Sequence, residues 1–105
     1  MADFTALVTY YTQEQGGRKT PIGAEYNPVL IFENVAGPVA ADQVMVGKEE
    51  VFPSESIETE FTVLHKADLA DSLYLGQNFE LTESRVPIAS GVVLEIQNLK
   101  LKKNS

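Results

Sequence analysis

Cysteine is absent from the 105-residue sequence, and histidine occurs once, as His65. Without cysteine the chain has no disulfide framework, no thiolate nucleophile and no cysteine-based zinc site. A single histidine excludes a histidine pair for a metal site or a proton relay. No apolar run approaches the roughly 18 residues of a membrane span, and the first residues lack the basic and apolar regions of a signal peptide. These absences predict a cytoplasmic protein that needs no metal to fold.

Basic residues are also scarce. Fifteen carboxylates face eight lysines and arginines, which gives a net charge of −7. Three of the bases, Lys100, Lys102 and Lys103, lie near the C-terminus, so residues 1–99 set five bases against fifteen carboxylates and have a net charge of −10. Nucleic-acid binding depends largely on displacing counterions with Lys and Arg, so this charge disfavours RNA or DNA as a partner. We expect one domain over residues 1–99 and a solvated basic tail over residues 100–105.

Alternation of period two dominates the sequence, and helical spacing is missing. In residues 57–65 one face has apolar side chains and ends in His65, while the other presents Glu58, Glu60 and Thr62. The other strand-like segments are residues 3–12, 28–32, 39–41, 43–46, 78–82 and 87–96. A helical turn fits only at residues 67–72. Six or more strands with short turns predict either a closed β-barrel or a β-sandwich.

The run Gly17-Arg18-Lys19-Thr20 is the first candidate for chemistry. A phosphate-binding loop needs a glycine before its lysine and a helix after it, whereas here Arg18 stands at that glycine position and Pro21 follows. The run therefore does not predict nucleotide binding. It is typical of a glycine-bent connection with two solvated bases, and the alternative is a contact surface for a partner.

Catalysis is poorly supported by the remaining polar residues. His65 shares a face with apolar side chains, which predicts a hydrogen-bonded structural histidine at the end of a core strand. No serine has a nucleophile-elbow spacing around it, and no metal or cofactor motif is present. Glu58 and Glu60 are expected on a solvated face, and the alternative is an acidic docking face for a protein partner.

Several segments resemble, in order and spacing, the third domain of elongation factor Tu. The most specific is the Gly-Gly-Arg loop with Thr20-Pro21, placed between a first strand and a Tyr-x-Pro-led second strand. The similar segments are residues 4–21, 26–32, 52–57, 61–65 and 80–93. The resemblance implies a six-stranded antiparallel closed β-barrel as a stand-alone domain. The GTPase domain and the second barrel of that factor are missing from the sequence, so no GTP hydrolysis is implied.

In that family the domain contacts the T stem of aminoacyl-tRNA, the GTPase domain and the nucleotide-exchange factor. Arg18 matches the family arginine, and Lys19 takes the position of a family histidine beside Thr20. Arg85 lies in a loop that replaces a Glu-Gly-Gly-Arg-type loop and is the candidate for its arginine. Leu75 stands where the family has a lysine. The resemblance therefore implies a tRNA contact of which only part is kept.

Two hypotheses follow. The first is a non-enzymatic barrel that acts as a protein-interaction module related to translation, with a partner of unknown identity. The second is a tRNA or RNA accessory protein that uses Arg18, Lys19, Thr20 and Arg85, which the net charge disfavours. An enzyme is the weakest reading, because no nucleophile and base, metal cluster or cofactor loop is visible.

Overall fold

The structure, a computed structural model, describes residues 2–11, 22–23, 25–26, 28–47, 50–51, 55–83 and 86–103. These residues form nine β-strands and one 3₁₀ helix, Lys66–Leu69. The strands are β1 (Phe4–Tyr10), β2 (Ile22–Gly23), β3 (Glu25–Tyr26), β4 (Val29–Phe32), β5 (Val39–Met45), β6 (Glu50–Val51), β7 (Ser56–Val63), β8 (Asn78–Glu83) and β9 (Val86–Ile96).

Six of the strands close into an antiparallel barrel. The order around it is β4, β8, β9, β1, β7 and β5, and β5 pairs with β4 to complete the circle. Strand β3 continues the register of β4 along β5, while β2 and β6 form a separate two-stranded ribbon. The structure confirms the barrel implied by the resemblance and rules out the sandwich alternative. Closure leaves no long unpaired strand edge in the barrel.

Strand β7 shows why these residues form strands. Its side chains alternate between the interior and the solvent, with Ile57, Thr59, Phe61 and Val63 buried. This is the face predicted from the sequence, apart from His65. In an extended backbone successive side chains point to opposite sides of the sheet, so every second residue of β7 faces the interior.

Four phenylalanines fill the middle of the barrel, one from each of β1, β4, β7 and β8. Phe4 stacks on Phe61 with ring centroids 5.1 Å apart, and Phe32 stacks on Phe79 at 4.9 Å. The two stacked pairs meet edge to face, with Phe61 and Phe79 at 5.7 Å. Such arrangements add to the stabilisation that burial of the rings provides.

The backbone of β9 lies so close to the phenylalanine cluster that no side chain would fit at Gly91. Gly91 pairs with Val8 on one side and with Phe79 on the other. A Cβ atom at Gly91 would lie 2.4 Å from Cζ of Phe79, so the missing side chain makes room for the ring. The registers of β9 also skip one residue at Ile88 and another at Leu94, as β-bulges do.

Two sequence predictions need correction. Residues 39–41 and 43–46 are not separate strands: Val39–Met45 is one strand, in which Asp42 points outward and pairs with Thr62 of β7. Cross-strand pairing here outweighs the low strand propensity of aspartate. His65 is not a core residue, because β7 ends at Val63 and the exposed His65 instead precedes the 3₁₀ helix. That helix lies where a helical turn was predicted.

Candidate functional site

The outer surface of β7 presents Glu58 and Glu60. Both are exposed because they alternate with buried residues on the same strand. Among the described residues, no lysine or arginine lies within 4.0 Å of either carboxylate. The two residues therefore lie on the solvated face that the sequence predicted.

Apolar side chains surround these carboxylates. Glu58 pairs with Leu7 of β1, and the Val46 amide donates a hydrogen bond of 3.0 Å to the Glu58 carbonyl oxygen. Glu60 lies beside Val44 of β5 in the same way. These three apolar side chains are 41–48% exposed. We call this surface the acidic face, and it consists of Leu7, Asp42, Val44, Val46, Glu58 and Glu60.

The other predicted contact residues, Arg18, Lys19, Thr20 and Arg85, lie outside the described residues, so their roles stay predictions. Tyr11 is the last described residue before Arg18, Lys19 and Thr20. Its hydroxyl donates a hydrogen bond of 3.2 Å to Oε2 of Glu80. Burial raises the pKa of Tyr11, and the Glu80 carboxylate raises it further. A carboxylate therefore lies beside the last described residue before position 12.

Residues 97–103 form a structural feature that the sequence did not predict. Leu101 is 1% exposed and belongs to the core. Its carbonyl oxygen accepts hydrogen bonds from the Ser72 and Leu73 amides at 2.9 and 2.8 Å, and Lys103 N donates to the Leu73 carbonyl oxygen at 2.6 Å. The division at residue 99 remains a prediction. The alternation of Leu99 and Leu101 with Lys100 and Lys102 was the sequence signal that could have revealed this packing.

Asp3 binds the start of this C-terminal segment at Asn98. Its Oδ2 accepts hydrogen bonds from Val63 N at 2.7 Å and Lys66 Nζ at 2.8 Å, and its Oδ1 accepts one from Asn98 Nδ2 at 2.9 Å. Burial alone would raise the pKa of Asp3, but the hydrogen bonds from Lys66, Asn98 and Val63 outweigh burial and lower the pKa. Asp3 is therefore ionised when it joins β7, the 3₁₀ helix and the C-terminal segment.

A groove runs between this segment and the end of β9. Leu99 and Leu75 are 71% and 63% exposed, and Leu94, at the bulge of β9, is 46% exposed. We call it the leucine groove, and its lining residues are Leu75, Leu94, Glu95, Ile96, Leu99 and Lys102. Nearby, Lys103 Nζ lies 5.6 Å from the ring centroid of Tyr74. The groove is thus an apolar surface with Lys102 in its lining and Lys103 close by.

Neither surface contains a metal-binding cluster of described residues. Among the described residues, no three carboxylate or histidine side chains are placed to bind a metal ion together. The same part of the chain has no helix with the length and hydropathy of a membrane span. What both surfaces offer is exposed apolar area bordered by charge.

Comparison with protein families agrees with the barrel. The family model described as the elongation factor Tu C-terminal domain matches residues 1–97 of the 105. The chain belongs to this family. The elongation factor Tu C-terminal domain family thus accounts for the six-stranded barrel, and the resemblance carried by the Gly-Gly-Arg loop is confirmed. Residues 98–103, which form one wall of the leucine groove, lie beyond the match.

Proposed function

We propose that this domain is a non-catalytic protein-interaction module that serves translation in the cytoplasm. The family supports the link to translation, since members of the elongation factor Tu C-terminal domain family interact with other translation components. Fold alone does not fix function, so the proposal depends on the surface. The supporting observation is the acidic face, where Glu58 and Glu60 lie among exposed apolar side chains on a rigid sheet.

The acidic face has the composition of a docking surface. Exposed apolar side chains that group together, rather than lying singly, are typical of interaction sites. Carboxylates beside them steer and align a partner with basic residues, and they discourage anionic partners. We therefore expect the partner to present lysine or arginine next to apolar side chains.

The test is affinity purification of the tagged protein from its own cells, with and without ribonuclease, followed by mass spectrometry. We expect a protein partner that survives ribonuclease and that binds the Glu58→Lys/Glu60→Lys variant at least tenfold more weakly. Loss of every protein on ribonuclease treatment would overturn the proposal. Unchanged binding by the charge-reversed variant would overturn the role of the acidic face.

The second candidate is an RNA accessory function, favoured by the match of Arg18 to the family arginine. It requires affinity for tRNA that falls steeply with salt and is largely lost in the Arg18→Ala variant. A chain that binds no tRNA even at low salt would exclude it. The net charge of −7 makes this the weaker candidate.

A further inference from the structure

We propose that the leucine groove binds an acidic, leucine-bearing segment of a partner protein. This inference goes beyond the acidic face, because it concerns a second surface, which Lys102 and Lys103 border. Leu75 and Leu99 are the most exposed large apolar side chains of the described residues, and they line one groove together with Leu94. Their grouping leaves a contiguous apolar surface in water, which a bound apolar side chain would cover.

The groove is held in shape by three separate supports. Leu75 lies in a turn in which Gln77 N donates to the Tyr74 carbonyl oxygen at 3.2 Å, and Gly76 supplies the positive φ of 82°. Leu94 is directed outward by the bulge of β9. Leu99 is fixed by its neighbours Asn98, which binds Asp3, and Leu101, which is buried. A preformed groove loses little conformational entropy on binding.

Charge indicates the kind of segment. Lys102 lines the groove, and Lys103 lies beside it over the ring of Tyr74, whereas Glu95 is the one carboxylate of the lining. Two lysines therefore face one carboxylate at the groove, on a chain whose net charge is −7. An apolar segment with aspartate or glutamate beside its leucines complements both properties. A polynucleotide fits less well, because leucines offer no aromatic surface on which bases stack.

A short segment in this groove buries less area than a stable protein interface needs. We therefore expect a dissociation constant in the micromolar range, from about 1 to 100 μM. Because the lysines are exposed, the affinity should fall as salt increases. Residues 98–103 lie beyond the family match, so this binding would be a property of this chain added to the barrel.

The experiment places a photo-crosslinking amino acid, p-benzoylphenylalanine, at position 99 of the full chain in its own cells. Matched probes at position 44, on the acidic face, and at position 86, at the other end of β9, serve as controls. Val44 and Val86 are 48% and 50% exposed, so all three positions accept the probe at the surface. Adducts are treated with ribonuclease, digested and mapped by mass spectrometry.

We expect the probe at position 99 to trap a protein segment that contains leucine and has a net negative charge. A synthetic peptide of the mapped segment should then bind at least tenfold more weakly to the Leu99→Ser and Lys102→Glu variants, while Val86→Ser binds normally. Thermal melts of the variants check that each is folded. No adduct at position 99, a ribonuclease-sensitive adduct, a second copy of this chain or a basic segment would each overturn the inference. An adduct at position 44 with none at position 99 would do so while leaving the proposed function intact.

Discussion

The acidic face and the leucine groove adjoin each other but are held in different ways. Glu60 and Glu95 pair with Thr5 from opposite sides, so a single strand separates the two surfaces. The acidic face belongs to the barrel, and its side chains are aimed by continuous ladders of hydrogen bonds. The groove is assembled from a turn, a bulge and a segment that follows the last strand. The groove can therefore be disrupted while the barrel stays folded, whereas the acidic face is disrupted only when the barrel itself unfolds.

The largest effect should come from a change that breaks both surfaces at once. In the Gly91→Ala variant the new Cβ would lie 2.4 Å from Cζ of Phe79, within a cluster of stacked rings that cannot move freely. Overpacking of this kind should lower the free energy of unfolding by about 3 kcal/mol. Chemical denaturation measures it, with Val86→Ala, an exposed residue of the same strand, as the control. A loss below about 1 kcal/mol would show that Phe79 has room to shift.

A smaller effect should separate the two surfaces. Leu101→Ala removes the buried side chain of the C-terminal segment and should cost about 2 kcal/mol. Hydrogen exchange should accelerate at the Leu73 and Lys103 amides, whose hydrogen bonds join Leu73 to the C-terminal segment. Exchange should stay slow in β7. Leu99→Ala, at an exposed position, is the matched control. Equal acceleration in β7 would mean that the groove and the acidic face unfold together.

The smallest effect on stability should come from Asp3, and it should depend on pH. Asp3→Asn keeps the shape of the side chain but removes the charge that Lys66, Asn98 and Val63 N stabilise, and it should cost about 1 kcal/mol at pH 7. Because folding lowers the pKa of Asp3 below 3.8, its ionised form stabilises the protein above pH 3.8, and this contribution is lost as the pH falls through the folded pKa.

The measurement for Asp3 is urea denaturation of both proteins at pH 7, 5 and 3. The stability difference between wild type and Asp3→Asn should be constant from pH 7 to 5 and shrink toward pH 3. Asp68→Asn, an exposed carboxylate on the 3₁₀ helix, controls for general charge effects. A difference that grows as the pH falls would contradict the lowered pKa.

The sequence predicted the features that depend on local alternation. Ile57, Glu58 and Glu60 lie as expected, because one residue in two must face the core of a half-buried strand. Contacts between distant residues were not predictable in this way. Thr5 lies on the outer side of β1 yet is 4% exposed, since Gln97 Nε2 donates to its hydroxyl at 2.8 Å. Leu101 is buried, and its carbonyl oxygen accepts a hydrogen bond from the amide of Leu73, 28 positions earlier in the chain.

The site was predictable to the same degree. The exposure of Glu58 and Glu60 follows from strand periodicity, so it was predictable before the fold was known. The leucine groove was not, because nothing in the order of the residues shows that Leu75 and Leu99 meet. The Asp3 carboxylate binds Asn98, next to Leu99, and no spacing rule connects residue 3 with residue 98.

The Asp3 hydrogen bonds have a consequence for how this barrel can be joined to other proteins. Its carbonyl oxygen accepts hydrogen bonds from the Gln97 and Asn98 amides at 3.0 and 2.9 Å, so residues 3 and 97, near the two ends of the family match, lie side by side. A barrel whose first and last strands begin and end next to each other can be placed inside a surface loop of a host protein with little stretching of that loop. In such an insertion residues 98–103 would stay part of the domain, because Leu101 is buried in its core.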